Sequence, residues 1–293
     1  MKSLEELKIY YETDLVPILE KLDVQRRKFV SKICLIIVIF FIVWIMIVLI
    51  YKHYELFSYI GLGFSSIMFL VWKNSKFRGQ FKHEIILKVS SFVEPSLKYS
   101  PKNYISILRY NASGLFEKAS SYSGDDYFSG RIGSTSIEFS EICATKEEGR
   151  TSRLLFKGLF FIADFNKDFQ GRTIILPERM FKKKRNLVKT EDPEFEKLFN
   201  VYGTDQIEAR YILSQSLMQR IKLFKKKTKH NLCLSFVYSN VFVAISFKKE
   251  LFEPKYFSSI VDFEPIREYY EDLNLALGIV EDLNLNTRIW TKR

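Results

Sequence analysis

Four carboxylates stand close enough along the chain to act together: Asp125 and Asp126 beside Gly124, then Glu138 and Glu141. Paired acids of this kind can hold a metal ion or divide general acid and base roles between them. An Asp-Asp pair next to glycine also suits a solvated turn. A second polar group, Asp205, Glu208 and Arg210, reads as a helix cap followed by charges that pair with neighbours. Asp164-Phe-Asn166-Lys-Asp168 imitates the opening of a calcium loop, but its glycine, Gly171, comes eighth instead of sixth. Position twelve is Ile175, where a bidentate Glu is required. The segment therefore reads as a polar hairpin turn. His53, His83 and His230 lie outside apolar strand contexts, which disfavours Ser-His or Cys-His nucleophilic chemistry. Cys34, Cys143 and Cys233 are isolated and form neither a disulfide framework nor a zinc site. No nucleophile-elbow, zinc-protease, phosphate-loop or dinucleotide motif is present. The expectation is no catalytic residue, no metal and no cofactor, with the balance against an enzyme.

The elements that would carry these residues follow from charge and hydropathy. The chain has 293 residues and a formal charge of +11. Ile33–Tyr51 and Leu56–Trp72 carry no formal charge and are separated by the polar break around Lys52 and Glu55. At about 1.5 Å per residue the first run spans roughly 28 Å and the second roughly 25 Å, lengths suited to the hydrocarbon core of a bilayer. Gly61, Gly63, Ser65 and Ser66 offer a small face for close helix approach. Arg26, Arg27, Lys28 and Lys32 precede the first run, and Lys73, Lys76, Arg78 and Lys82 follow the second, whereas only Lys52 is basic between them. By the positive-inside rule this asymmetry predicts a helical hairpin with both termini in the cytoplasm. A single span would send the basic flank outside.

The predicted organisation is a cytoplasmic amphipathic helix over 1–32, a transmembrane hairpin over 33–72, a basic amphipathic stalk over 73–92 and an α+β domain over 93–293. In the first helix Pro17 predicts a kink. In the stalk, Phe77, Phe81, Ile85, Val89 and Phe92 recur at helical spacing, ending before Pro95. Ser100-Pro101 predicts a helix start, continuing to about Tyr122 with a break at Gly114. Alternation then changes to strands: SIEFS, SRLLFKGLFFIADF, RTIILP, NLVKT, and a hairpin in LCLSFVYSNVFVAISF turning at Ser239-Asn240. Between them, Thr204 or Asp205 predicts a helix with Ile207, Tyr211, Ser214, Met218 and Ile221 on one face. From Pro265, Ile266, Tyr270, Leu273, Leu277 and Val280 mark a last helix. The fold class is α+β: an antiparallel sheet with a C-terminal helix behind a transmembrane helical hairpin.

Two further basic runs, Lys182, Lys183, Lys184 and Arg185, and Lys225, Lys226, Lys227 and Lys229, are solvated loops or contacts with anionic lipid, as are the stalk cations. The positive charge is densest beside the second apolar run, which favours a membrane surface over nucleic acid.

The stretches DDYFSGRIGSTSIEFSEICA, LFKGLFFIADFNKDFQGRTIILPE, FEKLFNVYGTDQIEARYILSQSLM and IVEDLNLNTRIW resemble a family of uncharacterised bacterial membrane proteins, defined only as a domain of unknown function. The resemblance implies two transmembrane helices ahead of a cytoplasmic domain, in the bacterial inner membrane, and a membrane-associated partner of the LemA type. It brings no activity. The expected function is a non-enzymatic, membrane-anchored binding or scaffold module engaging a protein partner or an anionic lipid surface. A membrane-tethered enzyme using carboxylates, and an accessory subunit of a transporter or envelope assembly, are the alternatives.

Overall fold

A computed structural model of the chain describes residues 2–51, 61, 64, 65, 76–165, 168–180 and 186–286. The chain divides into two compact units: Lys2–Val89 with Phe252–Tyr269, and Ser90–Leu251 with Tyr270–Arg293.

The first unit is helical. α1 (Leu4–Tyr10) begins at a reciprocal cap, where Ser3 Oγ accepts from Glu6 N–H and Glu6 Oε2 accepts from Ser3 N–H at 2.6 Å. A π-turn at Tyr11–Leu15 leads into α2 (Val16–Tyr51). Pro17 has no N–H to offer the turn before it, and the helix absorbs the loss there by widening rather than ending. Leu7, Leu15, Leu19 and Leu22 are buried on one stripe. α3 (Lys76–Phe81), a π-turn at Lys82–Ile86 and α4 (Leu87–Val93) follow, and Phe77, Phe81, Ile85 and Val89 are buried at a spacing of four. Residues Phe252–Tyr269 complete this core. Tyr256 lies 6.1 Å from Phe29 and 5.6 Å from Phe77 between ring centroids, and Tyr269 lies 5.9 Å from Phe81.

Leu4–Met46 is, among the described residues, the one helix long and apolar enough to cross a membrane. Two spans were expected. The second run is described only at residues 61, 64 and 65, all helical, so that expectation falls almost wholly outside the described residues.

Among the described residues, the second unit is built on a nine-stranded antiparallel sheet. Its strands are β1 (Lys98–Ser100), β2 (Ser121–Ile132), β3 (Thr135–Glu148), β4 (Thr151–Asp164), β5 (Arg172–Pro177), β6 (Leu187–Val188), β7 (Phe199–Gly203), β8 (Leu232–Val237) and β9 (Asn240–Ser246). Their order across the sheet is β1-β2-β3-β4-β9-β8-β5-β7-β6. The central strands read as near-continuous apolar runs because both their faces are covered; every residue of β8 is buried. On one face Tyr110, Phe156, Phe160, Ile174, Cys233 and Phe242 form the core. Gly158 sits where β4 crosses β9, and a Cβ there would overlap the Ile245 carbonyl oxygen.

Several expected elements shift. Ser100-Pro101 closes β1 instead of opening a helix, and the helix in that region is short: α5 (Ile107–Ser113), capped by Ser106 and ended by Gly114 in the left-handed conformation. The last hairpin turns one residue earlier than expected. Val237 pairs with Asn240, so Tyr238 and Ser239 form the turn, with Tyr238 at φ 57°. After α6 (Pro193–Leu198), the single helix expected from Asp205 is two, α7 (Gln206–Ile212) and α8 (Gln215–Thr228). Leu213 leaves helical geometry and Ser214 caps afresh, which resets the helical phase. Met218 and Ile221 are therefore buried, whereas Ile207 and Tyr211, expected on the same face, are exposed. α9 (Phe263–Asp282) buries Ile266, Tyr270, Leu273, Leu277 and Val280 as their spacing predicts.

Candidate functional site

The sheet gathers three of the four carboxylates first singled out. Asp125 on β2 stands opposite Glu141 on β3, and the next pair is Phe128 with Phe139. β2 thus spends one residue more than β3 over this interval, a bulge. Asp126 takes the strain of the bulge at φ 55°, a conformation Asp tolerates better than most residues. The bulge leaves Asp126 fully buried; its Oδ1 accepts the Tyr99 hydroxyl, and its N–H donates to the Pro101 carbonyl at 3.3 Å. Gly124 permits the close approach of the two strands, since a Cβ there would meet the Glu141 carbonyl oxygen.

Glu141 is buried, and its Oε2 accepts the Leu251 N–H at 2.7 Å. Burial pushes its carboxyl up to about 8; the Leu251 hydrogen bond opposes the shift, and the charges of Asp125, Asp126 and Glu250 add to it. At neutral pH Glu141 therefore holds its proton. A carboxylic acid in that state can donate a proton. Glu138 is not part of this group. An odd separation along β3 places it on the opposite face from Glu141. There it pairs with Arg109 and accepts the Tyr127 hydroxyl at 2.8 Å. Burial, then the bond to Glu138, pushes that hydroxyl up to about 12.

The remaining sequence-derived sites are structural in their contacts. Asp205 caps α7 through Ile207 N–H at 2.8 Å and Glu208 N–H at 3.0 Å. Glu208 accepts the N–H groups of Gln170 and Gly171, closing the turn before β5. Arg210 is exposed on the rim of a cavity of about 260 Å³ lined also by Lys189, Asp192, Ser214, Gln215 and Met218. Asn166 and Lys167 of the calcium-like segment lie outside the described residues.

The cations expected to face lipid divide sharply. Arg78 and Lys82 turn inward: both engage the Glu253 carboxylate, Arg78 through Nε at 2.6 Å and Lys82 through Nζ at 2.6 Å. Lys82 keeps only 3% of its side chain exposed, so these two charges are spent inside the helical unit and are unavailable to headgroups. Lys76 is exposed. Lys73 and the run Lys182, Lys183, Lys184 and Arg185 lie outside the described residues. In the last run, Lys225 donates to the His230 carbonyl and burial lowers its pKa, while Lys227 pairs with Asp282 at 2.7 Å. Lys226 and Lys229 are left exposed.

Sequence reasoning did not anticipate two carboxylate centres in the helical unit. One is Glu253 with Arg78 and Lys82. The other is Asp23, whose oxygens accept from Arg26 Nε and Arg27 Nε, each at 2.7 Å, while Arg26 Nη1 donates to the Tyr256 carbonyl at 2.6 Å. Burial acts to raise the Asp23 carboxyl, and the two arginine bonds outweigh it, holding the group below the usual range. The Asp23–Arg26–Arg27 spacing was visible as helical neighbours. The Glu253 pairing had no local signal, because its partners are far away in the chain.

No curated protein matches the chain. Among solved structures, the mycobacterial trehalose monomycolate transport factor A, TtfA, is similar at 10% identity, with a TM-score of 0.38, over 64% of this chain and 94% of that one. A likeness that slight carries nothing about activity. Residues 154–285, from within β4 to three residues past α9, match the model of a family described as protein of unknown function (DUF3137), to which this part of the chain is thereby similar.

Proposed function

We propose that the chain is a membrane-anchored binding or scaffold module, with its two apolar runs as the anchor and both termini in the cytoplasm. The observation that carries this reading is the bare apolar surface of α2. Leu35, Ile36, Val38, Ile39, Phe41, Ile42 and Ile45 are all between 46% and 60% exposed, although a water-soluble helix would bury one face. Such a surface fits lipid around it. Two contacts support the hairpin. The Phe40 ring stacks on Phe64 at 3.9 Å, and these positions are equidistant in sequence from Lys52. Phe29 and Phe77, which share Tyr256, are equidistant from His53. Both midpoints fall in the polar break, as an antiparallel pair requires. Protease added to intact cells should leave the sheet unit undigested and should degrade it in inverted membrane vesicles. Digestion in intact cells would end the proposal.

The partner is a protein or the anionic lipid surface, the latter met by Lys226, Lys229 and Lys76, and a LemA-type membrane protein stands on the family resemblance alone. Recovery of a stoichiometric partner in mild detergent would favour the module or an accessory-subunit role.

A second reading, a membrane-tethered enzyme, is favoured by one arrangement: Asp125 stands opposite buried Glu141 beside buried Asp126, and burial pushes the Glu141 carboxyl up to about 8. Here Glu141 would act as the acid. Glu141→Gln and Asp125→Asn would then abolish a cellular phenotype while leaving chain abundance and partner recovery unchanged. Loss of partner recovery in step with the phenotype would instead support the module.

A further inference from the structure

We infer that the loop carrying Phe257 is a membrane-interface foot of the helical unit, with the Phe257 ring inserted among lipid headgroups and upper acyl chains. The inference rests on the reading that α2 crosses a bilayer. Phe257 is 80% exposed, although Phe252, Tyr256 and Ile260 around it are buried. Its height along α2 is set by its neighbour. The Tyr256 ring contacts Phe29, and the Tyr256 carbonyl accepts Arg26 Nη1 at 2.6 Å. Phe29 precedes Ile33, where the uncharged run begins, by four residues, about 6 Å at the helical rise. Tyr256 also contacts Phe77, which follows the end of the second uncharged run by five residues. Both approaches bring this loop to the level where the polar flanks give way to apolar helix.

At that level the exposed side chains are those a bilayer interface selects. Lys28, Lys32 and Lys76 are exposed there, and Lys28 and Lys32 are one helical turn apart on one side of α2. Cations in this band attract anionic headgroups, and an apolar Phe ring on an interfacial segment enters the boundary between headgroup and acyl chain. Above the band, the exposed apolar surface of α2 begins at Leu35. The occupant that covers Phe257 is therefore the same bilayer that surrounds α2, continued to its edge.

The test uses the full chain with Cys34→Ala, Cys143→Ala and Cys233→Ala, and one new cysteine at a time: Phe257→Cys, Ile39→Cys or Glu12→Cys. Each is labelled with an environment-sensitive dye in vesicles of phosphatidylcholine and phosphatidylglycerol. Quenching is compared between iodide in the water and nitroxide groups placed shallow or deep on lipid chains. Position 257 should be quenched several-fold more strongly by the shallow nitroxide than by iodide, position 39 by the deep nitroxide, and position 12 by iodide alone. Iodide quenching at 257 equal to that at 12, with 39 still reporting deep lipid, would overturn the foot and leave the span intact. Iodide quenching at 39 would overturn the span and the foot with it.

Discussion

Glu253 and Glu141 are both largely withdrawn from water, and the two units resolve that situation in opposite ways. In the helical unit, Arg78 and Lys82 are both directed at the Glu253 carboxylate. In the sheet unit, Glu141 has one backbone N–H and a surround of like charge from Asp125, Asp126 and Glu250, and it keeps a proton up to about pH 8. The cost of burying a bare carboxylate is several kcal/mol. It can be offset by importing opposite charge or by giving up the charge. The first solution ties Phe252–Tyr269 to α3 and the π-turn after it. The second leaves a group whose ionisation responds to pH near neutrality.

The contrast breaks most visibly at Glu253. Glu253→Leu removes the carboxylate that Arg78 and Lys82 both engage and should cost about 3–5 kcal/mol, read from thermal unfolding of the detergent-solubilised chain. The triple variant R78L/K82L/E253L should recover most of that loss, because the two cations are removed together with the carboxylate they engage.

Glu141→Gln probes the other solution. The folded pKa lies above the unfolded value of 4.5, so the native state holds the extra proton. Stability from this group is full below the unfolded value and falls as pH rises toward about 8. The wild-type chain should lose roughly 2–4 kcal/mol across that window that the variant retains. A flat wild-type profile would remove the proton from the account.

Asp23→Asn sharpens the comparison by its sign. The Asp23 carboxyl is held low, so its stabilisation is present above the unfolded value of 3.8 and is lost as pH falls through the folded one. The variant should lose about 1–2 kcal/mol at neutral pH and show a weaker acid-side decline, the reverse of Glu141→Gln.

The smallest effect belongs to cations that serve neither solution. K226E/K229E should change stability by no more than about 0.5 kcal/mol. A dye on a cysteine at the exposed position 223 should nonetheless lose its response to phosphatidylglycerol in vesicles when K226E/K229E is introduced, if these lysines meet lipid.

Much of the fold was legible because it is written locally. Alternation placed β3, β8 and β9, near-continuous apolar runs placed β4 and β5, and a four-and-three spacing placed α9. The cap at Asp205 was readable, but the helix it begins was misjudged in length, since Ser214 can cap a new helix as well as continue an old one. Ser100-Pro101 failed for a related reason. The dipeptide fits a helix start and a strand end equally, and only pairing of Lys98–Ser100 with Tyr127–Ser129 decides between them. Asp125, Asp126, Glu138 and Glu141 were visible as a group, yet their separation into two faces depended on β-sheet parity and one bulge.

Hydropathy period and charge asymmetry, both properties of neighbouring residues, were enough to determine a long apolar helix, its cationic flank and an α+β remainder. Tertiary structure alone decided that Arg78 and Lys82 serve Glu253 rather than solvent, and that Glu141 keeps its proton. The state of a buried charge depends on which other charges folding brings beside it. For these groups the decisive partners come from distant segments, so nothing in the local spacing could specify them.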